Sequence, residues 1–425
     1  MLGLLLTVFL AGYLFVTAEQ FLRISKSATA LLTGVALWTV YILGSPDRAV
    51  VFDKLKEHVA DFSGILFFLM AAMTIVELID AHDGFGVVTD RMTTRSKRLL
   101  LCLVALMTFF LSALLDNLTT TIVMVSLAGK LVTDRKDRVP FIGSIIIAAN
   151  AGGAWSPIGD VTTTMLWIGG RVSSGGIAAS LFMPSLICLA LPAAWLALQM
   201  KGTVAAYKAE TRRSPAIPPF ERRLVFIVGI GALLFIPFFK AVTGLPPYMG
   251  ALLGLAALWI VTEFLHGRRN GNHGEAVSAA AALTKIDLPS ILFFLGILLA
   301  VSCLDAAGVL IRLAGQLDAV FGNKSAVVFL MGLASSVIDN VPLTAAAMGM
   351  YPVGRFPIDH HLWLFFSYCA GTGGSMLIIG SAAGVVAMGM EKITFFDYLR
   401  RFSLPALSGY AAGAVWYLAT GGYFR

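Results

Sequence analysis

Four acidic residues lie inside otherwise apolar stretches of the sequence: Glu77, Asp116, Asp160 and Asp339. An ionised carboxylate at the centre of a membrane helix costs about 2.5–3.5 kcal/mol on insertion scales, so such residues usually face a protein interior or a water-filled path. Asp116 and Asp339 are each followed by asparagine, and Asp160 follows a Ser-Pro-Ile-Gly string. These three are the first candidates for a functional site, whereas Glu77 lies near a segment end, where a carboxylate can reach water.

Amide and hydroxyl side chains accompany the three aspartates. They are Asn117, Thr120, Asn150, Ser156, Thr163, Asn340, Thr344, Ser375 and Ser381. A small hard cation prefers such oxygen ligands, whereas an anion prefers helix N-termini and basic side chains. No lysine or arginine lies beside these residues where the segments are interrupted, so the pattern favours a cation. Aspartate and asparagine are also good helix N-caps, so capping is the alternative role, and it is compatible with ligation.

The composition indicates where these residues lie. The chain has 425 residues, of which 58% are apolar and 13% are charged. A soluble domain carries roughly 25% charged and 45–50% apolar residues. The sequence therefore predicts an all-α polytopic membrane protein in a lipid bilayer, and it argues against a soluble enzyme, a disordered chain or a nucleic-acid binder.

Ten stretches could each supply the roughly 20 mostly apolar residues that a membrane span needs. They are residues 2–17, 28–44, 62–79, 140–168, 177–200, 224–240, 248–265, 288–304, 361–390 and 402–419. The fourth and ninth are too long and glycine-rich for one continuous helix, so we expect discontinuous helices there. Residues 99–132 and 324–351 break at Asp116-Asn117 and Asp339-Asn340 into arms of about 15 residues, too short for the ~30 Å bilayer core. Each segment therefore predicts a re-entrant hairpin with a polar tip.

The basic residues indicate an orientation. With the N-terminus outside, most of the 31 lysines and arginines fall in inner loops, as the positive-inside rule requires. The sequence therefore predicts that both termini lie outside. The exception is a predicted outer loop, residues 45–61, which carries Arg48, Lys54 and Lys56.

The two halves of the sequence resemble each other. LFFLMAAMTIVELIDAHDGFG from Leu66 matches LFFLGILLAVSCLDAAGVL from Leu292, SALLDNLTTT matches SSVIDNVPLT, and GGAWSPIGD matches GGSMLIIGS, in one order at nearly constant offsets. Four complete predicted spans lie between the Phe67 and Phe293 helices, so these two helices run in opposite directions. Inverted repeats with interrupted helices characterise secondary transporters. We expect an N-terminal membrane helix in residues 1–27, a first repeat in 28–200, a cytoplasmic linker in 201–223 and a second repeat in 224–425.

One string identifies a resemblance. NAGGAWSPIGDVTTTMLW from Asn150, with DNLTTT and GGSMLIIGSAAGVVAMG, resembles the NhaD-type sodium/proton antiporters of the ion transporter superfamily, from about Ala28 to the C-terminus. The superfamily also contains arsenite efflux proteins and sodium-coupled dicarboxylate carriers. The dicarboxylate branch has Ser-Asn-Thr at its hairpin tips, whereas this chain has Asp-Asn at both, which argues against a dicarboxylate substrate.

The resemblance implies a function and a fold. It implies exchange of Na⁺, and also Li⁺, for H⁺ without a cofactor or an enzymatic reaction, in a bacterial inner membrane. It also implies a scaffold domain, a transport domain with two opposed hairpins, elevator-like movement and a homodimer. An arsenite or other small-ion efflux carrier with the same fold is the alternative.

The resemblance also implies two cation sites. The first would use Asp116, Asn117, Asn150, Ser156 and Asp160, and the second would use Asp339, Asn340, Ser375 and Ser381. Ser381 stands where the first half has Asp160, so the second site has one carboxylate fewer. A partly buried carboxylate suits exchange, because desolvation favours its protonated form whereas a bound cation favours its ionised form.

Overall fold

A computed structural model of the chain describes residues 2–17, 24–89, 94–204, 217–266 and 278–421, and these residues form twenty helices. The first ten are α1 (Leu2–Thr17), α2 (Lys26–Leu43), α3 (Arg48–Ala81), α4 (Gly86–Thr89), α5 (Lys97–Ser112), α6 (Asn117–Leu131), α7 (Arg135–Gly153), α8 (Val161–Ile168), α9 (Ser174–Gln199) and α10 (Pro219–Thr243). The others are α11 (Pro247–His266), α12 (Ala279–Lys285), α13 (Leu288–Ala306), α14 (Val309–Phe321), α15 (Lys324–Ala334), α16 (Asn340–Met350), α17 (His361–Gly373), α18 (Ala382–Glu391), α19 (Phe395–Arg401) and α20 (Ser403–Thr420).

Six helices in the described ranges are long and apolar enough to cross a membrane, which agrees with the predicted multi-pass protein. They are α2, α3, α9, α10, α11 and α13. The other four predicted spans correspond to the shorter helices α1 and α20 and to the interrupted pairs α7/α8 and α17/α18. Helices α14 and α15 meet at 112° and would together count as a seventh span. Helix α10 exposes Ile227, Phe238 and Val242, as a helix in contact with lipid would.

The two interrupted helices form the centre of the protein. Every residue of α7 from Phe141 to Gly153 is buried, and so is every residue of α17 from Leu362 to Gly373. A helix that is apolar on all sides must be surrounded by other elements. The breaks that follow α7 and α17 therefore also lie in the protein interior.

All four predicted breaks are confirmed, and a polar side chain caps the helix after each one. Asp116, Asp160 and Asp339 accept hydrogen bonds from the first backbone N–H groups of α6, α8 and α16, and Ser381 does so for α18. Short polar side chains compete with helical hydrogen bonding and prefer such capping positions, so they stop one helix and start the next. The arms of the second hairpin, α15 and α16, have 11 residues each and are shorter than the sequence predicted.

The helix pairs α5/α6 and α15/α16 pack against α7 and α17, respectively, through matching contacts. The Ser112 hydroxyl donates to the Ala149 carbonyl at 2.6 Å, and the Ser335 hydroxyl donates to the Ala370 carbonyl at 3.0 Å. Gly152 lies directly against the Phe109 carbonyl, and Gly373 lies against the Gly332 carbonyl in the same way. Because the neighbour is backbone in both places, neither glycine leaves room for a side chain.

The segment 45–61 differs from the predicted outer loop. Helix α3 begins at Arg48 and runs for 34 residues, and Asp47 caps it by accepting from Ala49 N at 3.0 Å and Val50 N at 3.2 Å. The Lys54 Nζ donates to the Ala306 carbonyl at 2.7 Å, at the end of α13. A cation at a helix C-terminus is favourable, so this exception to the charge pattern has a local structural reason.

Parts of all four predicted segments lie outside the described residues. They are Met1 and residues 18–23 of the segment 1–27, residues 90–93 of the segment 28–200, residues 205–216 of the linker 201–223, and residues 267–277 and 422–425 of the segment 224–425. The short helices α4, α12, α14 and α19 were not predicted from the sequence, because each is shorter than a membrane span.

The contact between Gly152 and the Phe109 backbone makes a prediction. Gly152→Ala should lower the melting temperature of the detergent-solubilised protein, because overpacking against backbone costs about 1–3 kcal/mol. Gly389→Ala is the matched control, since Gly389 is a helical glycine with open space around it. Equal melting temperatures for the two variants would contradict the packing argument.

Candidate functional site

The carboxylate of Asp160 lies at the centre of a buried hydrogen-bond network. Its side chain is 2% exposed. Asn117 Nδ2 donates to Oδ1 at 2.6 Å, Asn340 Nδ2 donates to Oδ1 and Oδ2 at 3.3 and 3.2 Å, and the Thr162 backbone N–H donates to Oδ2 at 3.1 Å. Within the described residues no basic side chain forms an ion pair with Asp160. Its negative charge is therefore met only by amide dipoles.

Three helix N-termini bring these groups together. Asn117 is the first residue of α6, Asn340 is the first residue of α16, and Asp160 is the N-cap of α8. The N-terminus of a helix carries partial positive charge, so the arrangement stabilises a carboxylate at this point. The sequence forms it because each aspartate or Asp-Asn pair starts a helix immediately after an interruption.

Asn150 joins the two predicted sites into one network. Its Oδ1 accepts from Asn117 Nδ2 at 3.0 Å, and its Nδ2 donates to the Ser375 and Ser381 hydroxyl oxygens at 3.0 Å each. Since Asn340 also bonds to Asp160, side chains of both predicted sets meet around one carboxylate. The sequence treated the two sets as separate because residues of different halves are far apart along the chain.

The remaining predicted residues are buried close to this network. The Thr163 and Thr344 hydroxyls donate to the backbone carbonyls of Asp160 and Asn340, at 2.8 and 2.6 Å. Ser156 Oγ accepts from the Ile158 backbone at 3.3 Å. Among the described residues, the buried hydroxyl of Thr120 has no hydrogen-bond partner. This hydroxyl keeps the capacity to bind water or a cation.

Asp116 and Asp339 cap helices and also line a cavity. Asp116 accepts from the Thr119 backbone N–H at 2.8 Å and from its hydroxyl at 2.6 Å, and Asp339 accepts from Val341 N at 3.1 Å. Both also line a cavity of about 50 Å³, together with Asp160 and the two asparagines at the hairpin tips. Such a volume holds only a few water molecules. Asp116 and Asp339 thus cap a helix and reach the cavity at the same time.

Lys26 is a cavity residue that sequence reasoning missed. We expected it in an inner loop, but it begins α2 and lines the same cavity as the three aspartates. Its Nζ lies 4.7 Å from the centre of the Phe293 ring. The breaks themselves contain no basic residue, as predicted, yet the cavity beside them does. No local pattern in the sequence links Lys26 to residues so distant along the chain.

Comparison with known proteins identifies the class of this protein. A family model described as "Citrate transporter" matches residues 13–371. "Sodium/proton antiporter 2" of Arabidopsis thaliana is 48% identical over 414 residues, 96% of this chain and 97% of the relative. "Sodium/proton antiporter 1" of the same plant is 50% identical over 410 residues, 96% of this chain and 70% of the relative. The matched family is one of membrane transporters and not of enzymes.

A bacterial relative narrows the class. "Na(+)/H(+) antiporter NhaD" of Vibrio parahaemolyticus is 31% identical over 424 residues, 91% of this chain and 98% of the relative. The chain belongs to the family of NhaD-type sodium/proton antiporters, as its motifs predicted.

The hydrogen bond from Asn117 to Asp160 makes a second prediction. Asn117→Ala should raise the apparent KM for Na⁺ roughly tenfold or more, because a hydrogen bond to a charged group contributes about 1.5–3 kcal/mol. Cation-dependent fluorescence dequenching in vesicles, at graded Na⁺ concentrations, measures the change. Asn323→Ala is the matched control, since Asn323 also stands at a helix start but caps α15. An equal effect of both variants would show a general effect of alanine at a helix start and would contradict a specific role of the bond to Asp160.

Proposed function

We propose that this protein exchanges Na⁺, and also Li⁺, for H⁺ across a membrane, with Asp160 binding one ion or the other. The observation that carries the proposal is the buried Asp160 carboxylate, which has amide donors from both hairpin tips and, among the described residues, no ion pair with a basic side chain. An ionised carboxylate in such a place is costly unless a counter-charge is supplied. A proton or a metal cation supplies it, and the printed names of the relatives support Na⁺ as that cation.

Competition between the two ions gives coupling. Removal from water favours the protonated carboxyl group, whereas a neighbouring cation favours the carboxylate. On the side with low proton concentration the proton leaves Asp160 and Na⁺ takes its place. On the other side a proton displaces Na⁺. One group that can hold either ion, but not both, links the two fluxes.

We propose that the amides and hydroxyls complete the cation site. Asn117 and Asn340 direct their amide nitrogens at Asp160, and half a turn of either amide would present its oxygen instead. Asp116, Asn150, Ser156, Thr120 and Thr163 supply further oxygens within the same region, and Asp339, Thr344, Ser375 and Ser381 supply those of the second half. Because oxygen ligands suit a hard cation, this set fits Na⁺ or Li⁺.

We propose that the two halves are inverted repeats, residues 28–200 and 224–425, joined by the linker 201–223 after an N-terminal helix in residues 1–27. The matching pairs Ser112–Ala149 and Ser335–Ala370 support the repeat. Two re-entrant hairpins and an elevator-like movement of the hairpins and interrupted helices against a scaffold follow from it. The charge distribution supports termini on the outer side. On the family resemblance we also propose a homodimer in a bacterial inner membrane.

The other substrates fit the cavity less well. None of the four cysteines is among the residues that line it, and a thiol beside the hairpin tips would favour arsenite. Three carboxylates line it, and these would repel a citrate anion. A small cation therefore fits this cavity better than arsenite or citrate.

Asp160→Asn tests the proposal. This change preserves size but removes the exchangeable charge, so the variant should insert normally and lose Na⁺/H⁺ exchange at every pH. Everted vesicles are energised to acidify the lumen, and Na⁺, Li⁺ or K⁺ is then added. The wild type should alkalinise the lumen in response to Na⁺ and Li⁺.

Two comparisons complete the test. Asp160→Glu should keep some exchange with a raised KM, because the added methylene moves the ligand oxygens. Asp134→Asn is the matched control, since Asp134 caps α7 at the surface by accepting from Lys136 N. Asparagine caps a helix about as well as aspartate. Wild-type exchange in Asp160→Asn vesicles at matched expression would therefore leave Asp160 as a helix cap and refute its role in coupling.

A further inference from the structure

A second and larger cavity lies beyond the site. Its volume is about 440 Å³, and its polar lining consists of His58, Asp61, Arg171, Ser302 and Asp305. None of these residues belongs to the Asp160 network. The cavity is large enough for many water molecules, unlike the small cavity beside Asp160.

Helices α3, α8, α13 and α16 line both cavities. On α8, Thr164 lines the small cavity and the next residue, Met165, lines the large one. On α13, Phe294 lines the small cavity and Leu298, four residues later, lines the large one. On α16, Val341 and Ala345 do the same. Four residues span about 6 Å of helix, so the layer between the cavities is about one helical turn thick.

The layer between the cavities is apolar and closely packed. On α3 it contains Ile65 and Phe68, and on the facing helices it contains Met165, Leu298 and Val341, each exposed by 8% or less. A cation cannot cross such a layer as it stands, because nothing in it replaces the ion's hydration. Movement of α8 and α16 against α3 and α13 would open it.

We propose that the large cavity is the second half of the ion path, and that Arg171 is a further functional residue that controls cation release through it. The inference rests on the proposed exchange of Na⁺ for H⁺. The proposal is supported by the position of the two cavities, which follow each other along four shared helices, and by the charge of Arg171 in the larger cavity.

Arg171 is held by the same elements that hold the site. Gly170 follows the C-cap of α8 and has a φ of 67°, and Arg171 N donates to the Leu166 carbonyl at 2.8 Å. The guanidinium donates to the Gly169 carbonyl at 3.4 Å and to the Met348 carbonyl, in α16, at 3.3 Å. Asp160 and Arg171 therefore stand at opposite ends of one short helix and move together with it.

Two carboxylates stand on the other side of the large cavity. Asp305 belongs to α13 and Asp61 to α3, and both interact electrostatically with Arg171. Among the described residues, no ion pair joins Arg171 to either of them. A cation in the large cavity is thus repelled by Arg171, on the side of Asp160, and attracted by Asp61 and Asp305, on the facing side. Arg171 should promote the release of Na⁺, and Asp305 should promote its capture.

Thiol labelling tests the path itself. In a variant that lacks the four native cysteines and retains exchange, Ser302→Cys should react with a membrane-impermeant thiol reagent from one face only. Ser367→Cys is the control, since Ser367 is fully buried away from this cavity. Labelling of Ser302→Cys from neither face, or from both faces equally, overturns the path. This result does not depend on transport, so it is distinct from a failure of the exchange assay.

Opposite charge changes test the role of Arg171. In proteoliposomes, Arg171→Gln should lower the KM for Na⁺ roughly tenfold at the membrane face from which Ser302→Cys is labelled, because a fixed charge in a cleft changes the rate of ion encounter by about that factor or more. It should also lower the maximal rate, because release of Na⁺ is slower. Asp305→Asn should raise the same KM. At the other face neither KM should change.

Two further variants separate charge from structure. Arg171→Lys keeps the charge and should restore a KM near that of the wild type, although it cannot reproduce the guanidinium hydrogen bonds. Arg312→Gln removes a charge from α14, outside the cavity, and should be silent. A fall in activity that Lys does not rescue, or KM changes of the same sign in Arg171→Gln and Asp305→Asn, would show a structural role and overturn the proposal.

Discussion

The constraint on which the structure depends is one buried carboxylate that forms no ion pair with a basic side chain in the described part of the chain. Asp160 lies in the protein interior and accepts hydrogen bonds from two asparagine amides and one backbone N–H. A buried ion is tolerated only if its lost hydration is replaced. Dipoles replace part of it here, and a mobile ion can replace the rest. An arginine or lysine paired with Asp160 would have satisfied the charge permanently and left nothing to exchange.

The interrupted helices are the means by which this environment is built. Every helix leaves its first N–H groups free, and a helix that crosses the membrane without interruption has them near the surface. Only a helix that begins in the interior can direct free N–H groups and first-turn side chains at a buried point. Helices α6, α8 and α16 each begin there. The close contacts of Gly152 and Gly373 with neighbouring backbone allow the hairpin arms to approach, and wider side chains would separate the hairpins from the breaks.

Much of the fold could be predicted because its signals are local. The ten apolar stretches, the four breaks and the capping residues can be identified within windows of a few residues, and the structure has helix starts at Asn117, Val161, Asn340 and Ala382. The meeting of the two halves could not be predicted in this way. Neither the bond from Asn150 to Ser381 nor that from Asn340 to Asp160 has a signal in local composition. Lys26 and Arg171 were missed for the same reason, because each reaches its cavity through packing between distant helices.

The two halves have similar backbones at the start of α8 and α18 but different residues there, Asp160 and Ser381. Asp160 and Ser381 are both N-caps with nearly the same backbone angles, φ −148° and ψ 148° against φ −144° and ψ 154°. Ser381 accepts a hydrogen bond from Asn150, so in the second half this position anchors the network that surrounds Asp160. A second aspartate there would place another carboxylate in the same network, and two such groups would titrate as a coupled pair. With serine, side chains of both halves still surround Asp160, while only one of these two paired positions carries a carboxylate.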